Sequence, residues 1–349
     1  MKQPPAGKGS PKGLVRAGQT DLLLDLLKGA PAAPPKPLTV DAGKPLTRQT
    51  KRIIETSVAV KEAPPSPEEL AYMARELVQC TLPHSDPGQV PFWTRKNGNL
   101  TLSITSGVDP RGPKLVGYPY GSIPRLLIFW ITTEALRTAS RRLHLGPSYS
   151  AFLRDIGLDP NTGGGKRSDA RRVREQTRRL FSASISFIQT VETDDRAGER
   201  RLNMPVAEAS ELWWNPKQPD QSTLWDSWVE LGQKFYDAIT TAPVPVDTRA
   251  LRALKRSPLA LDLYAWATHK ALAVARKGKP QFIPWRGLMV QFGADYADPK
   301  DFKKKAQDAL RKIQVVYPGL KLGPADGGLL VLPTSRPAVP MKPSKRSLT

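Results

Sequence analysis

The sequence predicts an α+β chain in which one plan, helix, helix, basic helix and β-hairpin, is run through twice behind an arm that packs no core. Three observations carry that prediction. Residues 166–179, KRSDARRVREQTRR, hold seven basic and two acidic side chains in fourteen positions at a helical period. A strand-and-turn pattern follows this helix directly. The same order of elements then returns about 134 residues later, with a lysine-rich helix in third place.

Residues 1–44 are rich in Pro, Gly, Ala and Lys and offer little to bury, so this basic N-terminal arm is expected to be disordered. Residues 45–90 read as a helical lead-in, with one helix over about 47–62 and a second over 67–79. For the second, Ser66-Pro67-Glu68-Glu69 supplies an N-cap, a proline at N1 and a capping-box glutamate. A hairpin signal comes next: 92–96 and 99–105 flank Asn97-Gly98, a dipeptide favoured in type I′ turns, and Leu100, Leu102 and Ile104 alternate on the second arm.

Residues 91–215 are predicted as the first module. A Pro124-initiated helix over 124–142 turns Leu126, Leu127, Trp130 and Ala135 inward, and a short helix over 149–156 closes at Gly157. The glycine-rich loop 161–165 then delivers the basic helix. On a helical wheel Ala170, Val173, Thr177 and Leu180 share an arc of ~100° with Phe181 at its edge, opposite Arg167, Arg171, Arg172, Arg174, Arg178 and Arg179. Guanidinium forks fit phosphate oxygens and the guanine edge bidentately, which makes this a recognition helix for DNA; a solvated charged face is the alternative. Base reading falls to a few of Lys166, Arg167, Arg171, Arg174 and Arg178. A strand over 185–193, a charged turn over 194–199 and a return over 200–207 form a wing, from which Arg196, Arg200 and Arg201 anchor phosphates. Helix, helix, basic helix and hairpin in this order is the plan of a winged helix-turn-helix.

The second module spans 216–338, joined to the first through the aromatic stretch 213–236, and residues 339–349 form a basic tail. Ser257-Pro258 caps a long helix to about 277; a short helix covers 284–292; Asp298-Pro299 starts a third, to about 316. That third helix sets Phe302, Ala306, Leu310 and Ile313 on one face, with Lys300, Lys303, Lys304, Lys305, Arg311 and Lys312 largely elsewhere. The four lysines over 300–305 are the counterpart base readers, and Lys321 anchors a phosphate from a hairpin whose tip is Asp326-Gly327-Gly328. Most of the tryptophans are expected in the core.

A net charge of +21 over 349 residues attracts polyanions. Nucleic acid is preferred to a membrane, because no apolar run approaches the ~20 residues of a span. The start, MKQPPAGKGS, lacks an apolar h-region, so no secretion signal is expected, and the single cysteine, Cys80, fits a reducing cytoplasm. His84, His144 and His269 are too scattered for a zinc finger or a nickase metal pair, so no metal is expected. The run Gly163-Gly164-Gly165-Lys166 fails as a nucleotide loop, since Pro160 stands where a glycine is needed and Arg167 where a hydroxyl is needed. Neither a cofactor nor a catalytic residue is expected: the chain reads as a binding protein rather than an enzyme.

Longer motifs carry a resemblance over about 92–338. The first module holds Gly117-Tyr118-Pro119-Tyr120-Gly121-Ser122-Ile123-Pro124-Arg125-Leu126-Leu127, Thr133-Glu134-Ala135, Leu145-Gly146 and Arg174-Glu175-Gln176-Thr177-Arg178-Arg179-Leu180-Phe181. The second holds Pro243-Val244-Pro245-Val246, Leu254-Lys255-Arg256-Ser257-Pro258-Leu259-Ala260-Leu261-Asp262, Phe282-Ile283-Pro284-Trp285 and Gln291-Phe292-Gly293. These motifs resemble the plasmid-encoded RepA-type replication initiators, which bind repeated sequences, iterons, at a plasmid origin. The resemblance implies tandem winged helices, a self-dimer that represses its own gene and so bears on plasmid copy control, and a monomer that opens the origin and recruits host initiator and replicative helicase. Within the arm, Gln19, Asp21, Leu22 and Leu23 form a Gln-x-Asp-Leu-Leu string that resembles the peptide by which replication proteins hold the bacterial sliding clamp. A transcriptional repressor without an initiation role, and a non-specific nucleic-acid coating protein, remain as alternatives.

Overall fold

Thr47 starts the first helix, α1 (Arg48–Glu62), its Oγ1 accepting from Thr50 N at 3.1 Å. The computed structural model describes residues 47–160, 168–213, 226–293, 296 and 298–340. Gln19, Asp21, Leu22, Leu23, Lys166, Arg167, Trp214 and Trp225 lie outside the described residues.

The helix expected over 67–79 is replaced by three pieces. The capping box at Ser66 forms, with Ser66 N donating to Glu69 Oε2 at 3.0 Å, but it opens only a 3₁₀ turn over Pro67–Glu69. Strand β1 (Leu70–Met73) and a short helix, α2 (Arg75–Gln79), follow. Tertiary pairing decides this, because Leu70 to Met73 pair antiparallel with Asp247 to Val244 of β11 (Val244–Asp247), and Tyr72 N donates to Thr133 Oγ1 at 3.0 Å.

The first half continues with the hairpin β2 (Trp93–Asn97) and β3 (Leu100–Thr105), whose turn falls on Gly98-Asn99, one residue later than the dipeptide signal; Gly98 holds φ +61°. A small hairpin, β4 (Val108–Asp109) with β5 (Lys114–Leu115), precedes the long helix α3 (Ser122–Thr138). Apolar residues surround almost the whole of α3, so it runs through the core rather than over it. It stops at Ala139, in the left-handed region, and 142–144 is strand β6 (Arg142–His144) rather than the helix end expected there. Helices α4 (Tyr149–Asp155) and α5 (Asp169–Phe181) and strands β7 (Ser184–Thr193), β8 (Arg196–Pro205) and β9 (Ala207–Glu211) complete this half.

The second half runs β10 (Trp228–Leu231), α6 (Gln233–Thr241), β11, α7 (Thr248–Leu254), α8 (Pro258–Lys277), β12 (Gln281–Pro284), α9 (Trp285–Phe292), α10 (Pro299–Val316), β13 (Leu322–Ala325) and β14 (Gly328–Val331). Ser257 Oγ accepts from Ala260 N at 3.2 Å and Pro258 opens α8, as the sequence predicts, and Gly278 at φ +64° ends it. Trp266 on α8 meets Phe292 edge-on at 6.4 Å, and Tyr264 meets Tyr317 at 6.0 Å.

The two halves close their hairpins differently. In the second, the strand between the first two helices, β12, pairs with β14, giving the order β12-β14-β13. In the first, the corresponding strand β6 pairs with β10, and the β7–β8 hairpin extends the earlier one into a four-stranded sheet, β2-β3-β7-β8.

A buried polar cluster ties the halves together. Arg125 on α3 is 2% exposed and grips Asp262 on α8 bidentately, Nε to Oδ1 at 2.7 Å and Nη2 to Oδ2 at 2.9 Å. Its remaining donors reach the carbonyls of Leu82, Pro83 and Gly121, and His84 Nε2 lies 2.7 Å from Asp262 Oδ2. Lys255 Nζ donates to Gly157 O at 2.6 Å, and Gln291 Nε2 to Gln79 O at 2.9 Å, again across the halves. The apolar core is continuous through both. Among the described residues no helix is long and apolar enough to cross a membrane.

Candidate nucleic-acid interface

Ser168 starts α5 by accepting Arg171 N on its Oγ at 3.2 Å, and Asp169 sits in the first turn, where the helix dipole favours a negative charge. Ala170, Val173, Thr177, Leu180 and Phe181 are buried, as the wheel predicts. Gln176 is buried with them and accepts Tyr120 N at 2.8 Å, while Tyr149 Oη donates to Ala170 O. One face of α5 is thereby pinned to the segment before α3 and to α4.

The opposite face opens on a cleft of about 940 Å³ whose lining includes Arg111, Arg171, Arg172, Arg174 and Arg178. Pro110 and Arg111 from the β4–β5 hairpin, Tyr120, and Ser210 and Leu212 beyond the wing supply other parts of its wall. Arg171 and Arg172 are exposed; Arg174 and Arg178 are half-buried. Arg172 lies 3.5 Å from Asp169.

Arg179 does not line the cleft. Its Nε donates to Glu175 Oε1 at 3.0 Å, and its Nη1 to Asp86 Oδ2 at 2.9 Å and to Tyr118 O at 3.2 Å. A Cβ on Gly117, which sits at φ +100°, would come within 2.9 Å of the Arg179 guanidinium carbon. Glycine is therefore required where this arginine crosses the backbone.

Arg111 is a cleft residue that sequence reasoning missed. Asp109 organises it: Arg111 Nε donates to Oδ1 at 3.0 Å, Arg111 Nη2 to Oδ2 at 2.8 Å, and Arg111 N to Oδ1 at 3.1 Å. The same carboxylate takes Arg178 Nη2 at 2.9 Å. The Arg111 side chain first, then its backbone N–H and Arg178, hold the Asp109 carboxyl well below the usual carboxylate range. The signal available was the Asp109-Pro110-Arg111-Gly112 turn, a short loop that projects a charge, but nothing local tells that it stands opposite α5.

The wing residues divide. Arg200 pairs opposite Gln189 and Arg201 opposite Ile188, so these neighbours project to opposite faces of the sheet. Arg196 and Arg200 share the face of buried Met204; Arg201 is on the other and pairs with Glu199 at 2.9 Å. All three are exposed.

In the second half α10 buries Phe302, Ala306, Ala309, Leu310, Ile313 and Val316. Lys300, Lys303, Lys304, Lys305 and Arg311 are exposed, with Arg311 paired to Asp308. At about 100° per residue Lys300, Lys303, Lys304 and Arg311 fall on one arc and Lys305 with Lys312 on another. The latter two line a separate cleft of about 370 Å³ with His84 and Ser257. Lys321 is exposed, its backbone tied to Ser335. Trp266 is buried and Trp130, Trp228 and Trp285 half-buried, whereas Trp213 is 53% exposed. Burial pushes the Cys80 thiol up to about 11, which leaves it unreactive. Among the described residues no group of three or more His, Cys, Asp or Glu is placed to hold a metal.

No curated protein matches the chain. Two solved structures are similar in outline. A crystal structure of RctB domains 2-3 covers 73% of this chain and 94% of its own at 9% identity and a TM-score of 0.42. A selenomethionine derivative of domain 2 and domain 3 of RctB covers 71% and 93% at 10% identity, also with a TM-score of 0.42. The sequence itself is more specific, because residues 118–286 match the family model described as plasmid encoded RepA protein. That segment contains Tyr118, Tyr120, Arg125, Gln176, Arg179 and Asp262, which hold α5 and the two halves in place, so the part of the chain that resembles the plasmid-encoded RepA family is also the part that builds most of the cleft.

Proposed function

We propose that this chain is a plasmid replication initiator that binds direct repeats at its origin as double-stranded DNA. One observation carries the reading: within the family segment, α5 is fixed by one face and lines an arginine-rich cleft with the other. The match of residues 118–286 to the plasmid encoded RepA protein model supports the initiator role. The order α3, α4, α5 and β7–β8, then α8, α9, α10 and β13–β14, supports two tandem winged helix-turn-helix modules over 91–215 and 216–338. Arg171 and Arg174 would read bases in one major groove and Lys300, Lys303 and Lys304 in the next, with wing residues on phosphates.

The protein acts without catalysis: it opens the origin, recruits host initiator and replicative helicase, and as a self-dimer represses its own promoter in the bacterial cytoplasm. The arm at 19–23 contributes a contact to the sliding clamp.

Footprinting of the full chain on origin DNA tests this. Two modules on one DNA face should protect repeats of roughly 20 bp. If roughly six to eight phosphates are neutralised, log K should fall with log salt at a slope of about −5 to −7. Equal binding to scrambled DNA, or a slope near zero, overturns the reading. A minimal replicon separates initiator from repressor, since deletion of the gene abolishes replication only for an initiator.

A further inference from the structure

Asp109 occupies two of the five guanidinium groups that line the arginine cleft, Arg111 through Nε at 3.0 Å and Nη2 at 2.8 Å, with the Arg111 backbone N adding a third bond at 3.1 Å, and Arg178 at 2.9 Å. A carboxylate accepts forked arginine donors bidentately, as a phosphate does. The arrangement costs the protein attraction for DNA, since both cations are neutralised where a phosphate would arrive.

We propose that Asp109 is an intramolecular phosphate mimic that keeps Arg111 and Arg178 off the DNA backbone in non-specific complexes, so that the cleft takes a backbone phosphate only when the register on DNA presents one. This rests on the DNA-binding reading above and assigns specificity to a residue outside α5. Three features support it. Asp109 lies on a two-residue strand of a small hairpin, joined to β5 by only two residue pairs, so it can withdraw without disturbing the core. Val108 beside it is 73% exposed, so the hairpin stands out from the surface. Its carboxyl is held ionised by both arginines, which makes it a permanent competitor for them.

The test is a salt titration of the full chain on a scrambled-sequence duplex. Asp109→Asn should tighten binding and steepen the slope by about 0.9 per guanidinium returned to the DNA, up to about 2. Asp109→Ala, which removes the same charge without an amide, should do the same, and Arg111→Gln in the Asp109→Asn background should give about 1 of that slope back. Glu62→Gln, an equal charge change at the exposed end of α1, should not reproduce the effect. If both Asp109 variants weaken binding or leave it unchanged while their melting is native, Asp109 is only a tether for the hairpin and the proposal is overturned. The DNA reading fails separately: in that case the unmodified chain shows a slope near zero and Arg171→Gln with Arg174→Gln changes nothing.

Discussion

The arginines of α5 have different tasks. Arg174 lines the cleft and Arg179 is held by Glu175, Asp86 and the Tyr118 carbonyl. Arg174→Gln should cost about 1–3 kcal/mol on the origin repeat and relax the preference for one base, measured by competition with single-base variants. Arg179→Gln should instead lower stability by about 1–3 kcal/mol, because it strips a part-buried hydrogen-bonded charge, and should leave base preference intact. Loss of base preference on replacing Arg179 would mean that it leaves its intramolecular partners on DNA. A wheel puts both on the polar side, about 140° apart, but does not show what each one meets. It gives the face of a helix, whereas Gly117, Tyr118 and Asp86, which claim Arg179, are far off in sequence.

At the scale of elements, the helices with a capped, proline-initiated start were legible: Ser257-Pro258 for α8 and Asp298-Pro299 for α10. So were the basic helix and the hairpin after it. The capping box at Ser66 misled, because β11 offers backbone partners that a local signal does not report. The merging of the two hairpins of the first half into one sheet was also hidden, since β3 and β7 are about eighty residues apart. The Asp109–Arg178 contact was hidden for the same reason. The wing supplies a prediction of its own. Since Arg200 and Arg201 project to opposite faces, only one of Arg200→Gln and Arg201→Gln should reduce the salt slope by about 1. Equal reductions from both would mean that DNA wraps the hairpin edge.

For the whole molecule, the Arg125–Asp262–His84 cluster sets both stability and its pH dependence. Asp262→Asn should destabilise by about 3–5 kcal/mol in denaturant unfolding, because Arg125 is left buried without its counter-charge. Burial pulls the His84 pKa below its usual value despite Asp262, and for Asp262 burial pushes up but Arg125 and His84 pull further down. Both folded values are depressed, so both groups contribute stability above their unfolded pKa and lose it as pH falls. The unfolding midpoint should therefore decline from about pH 6.5 downwards, and further through the carboxylate range. His84→Gln should flatten the upper part of that decline. An unchanged upper limb would place the acid sensitivity elsewhere.

The shared ion pair also constrains how such proteins are rearranged. Arg125 belongs to one half and Asp262 to the other, 137 positions apart, so either half cut out or exchanged alone carries an orphan charge into its core. A chimera between two initiators of different origin preference should fold only when both partners travel together or are already the same in both parents. Recombination between plasmids would then be tolerated for the residues of the arginine cleft and resisted at this seam.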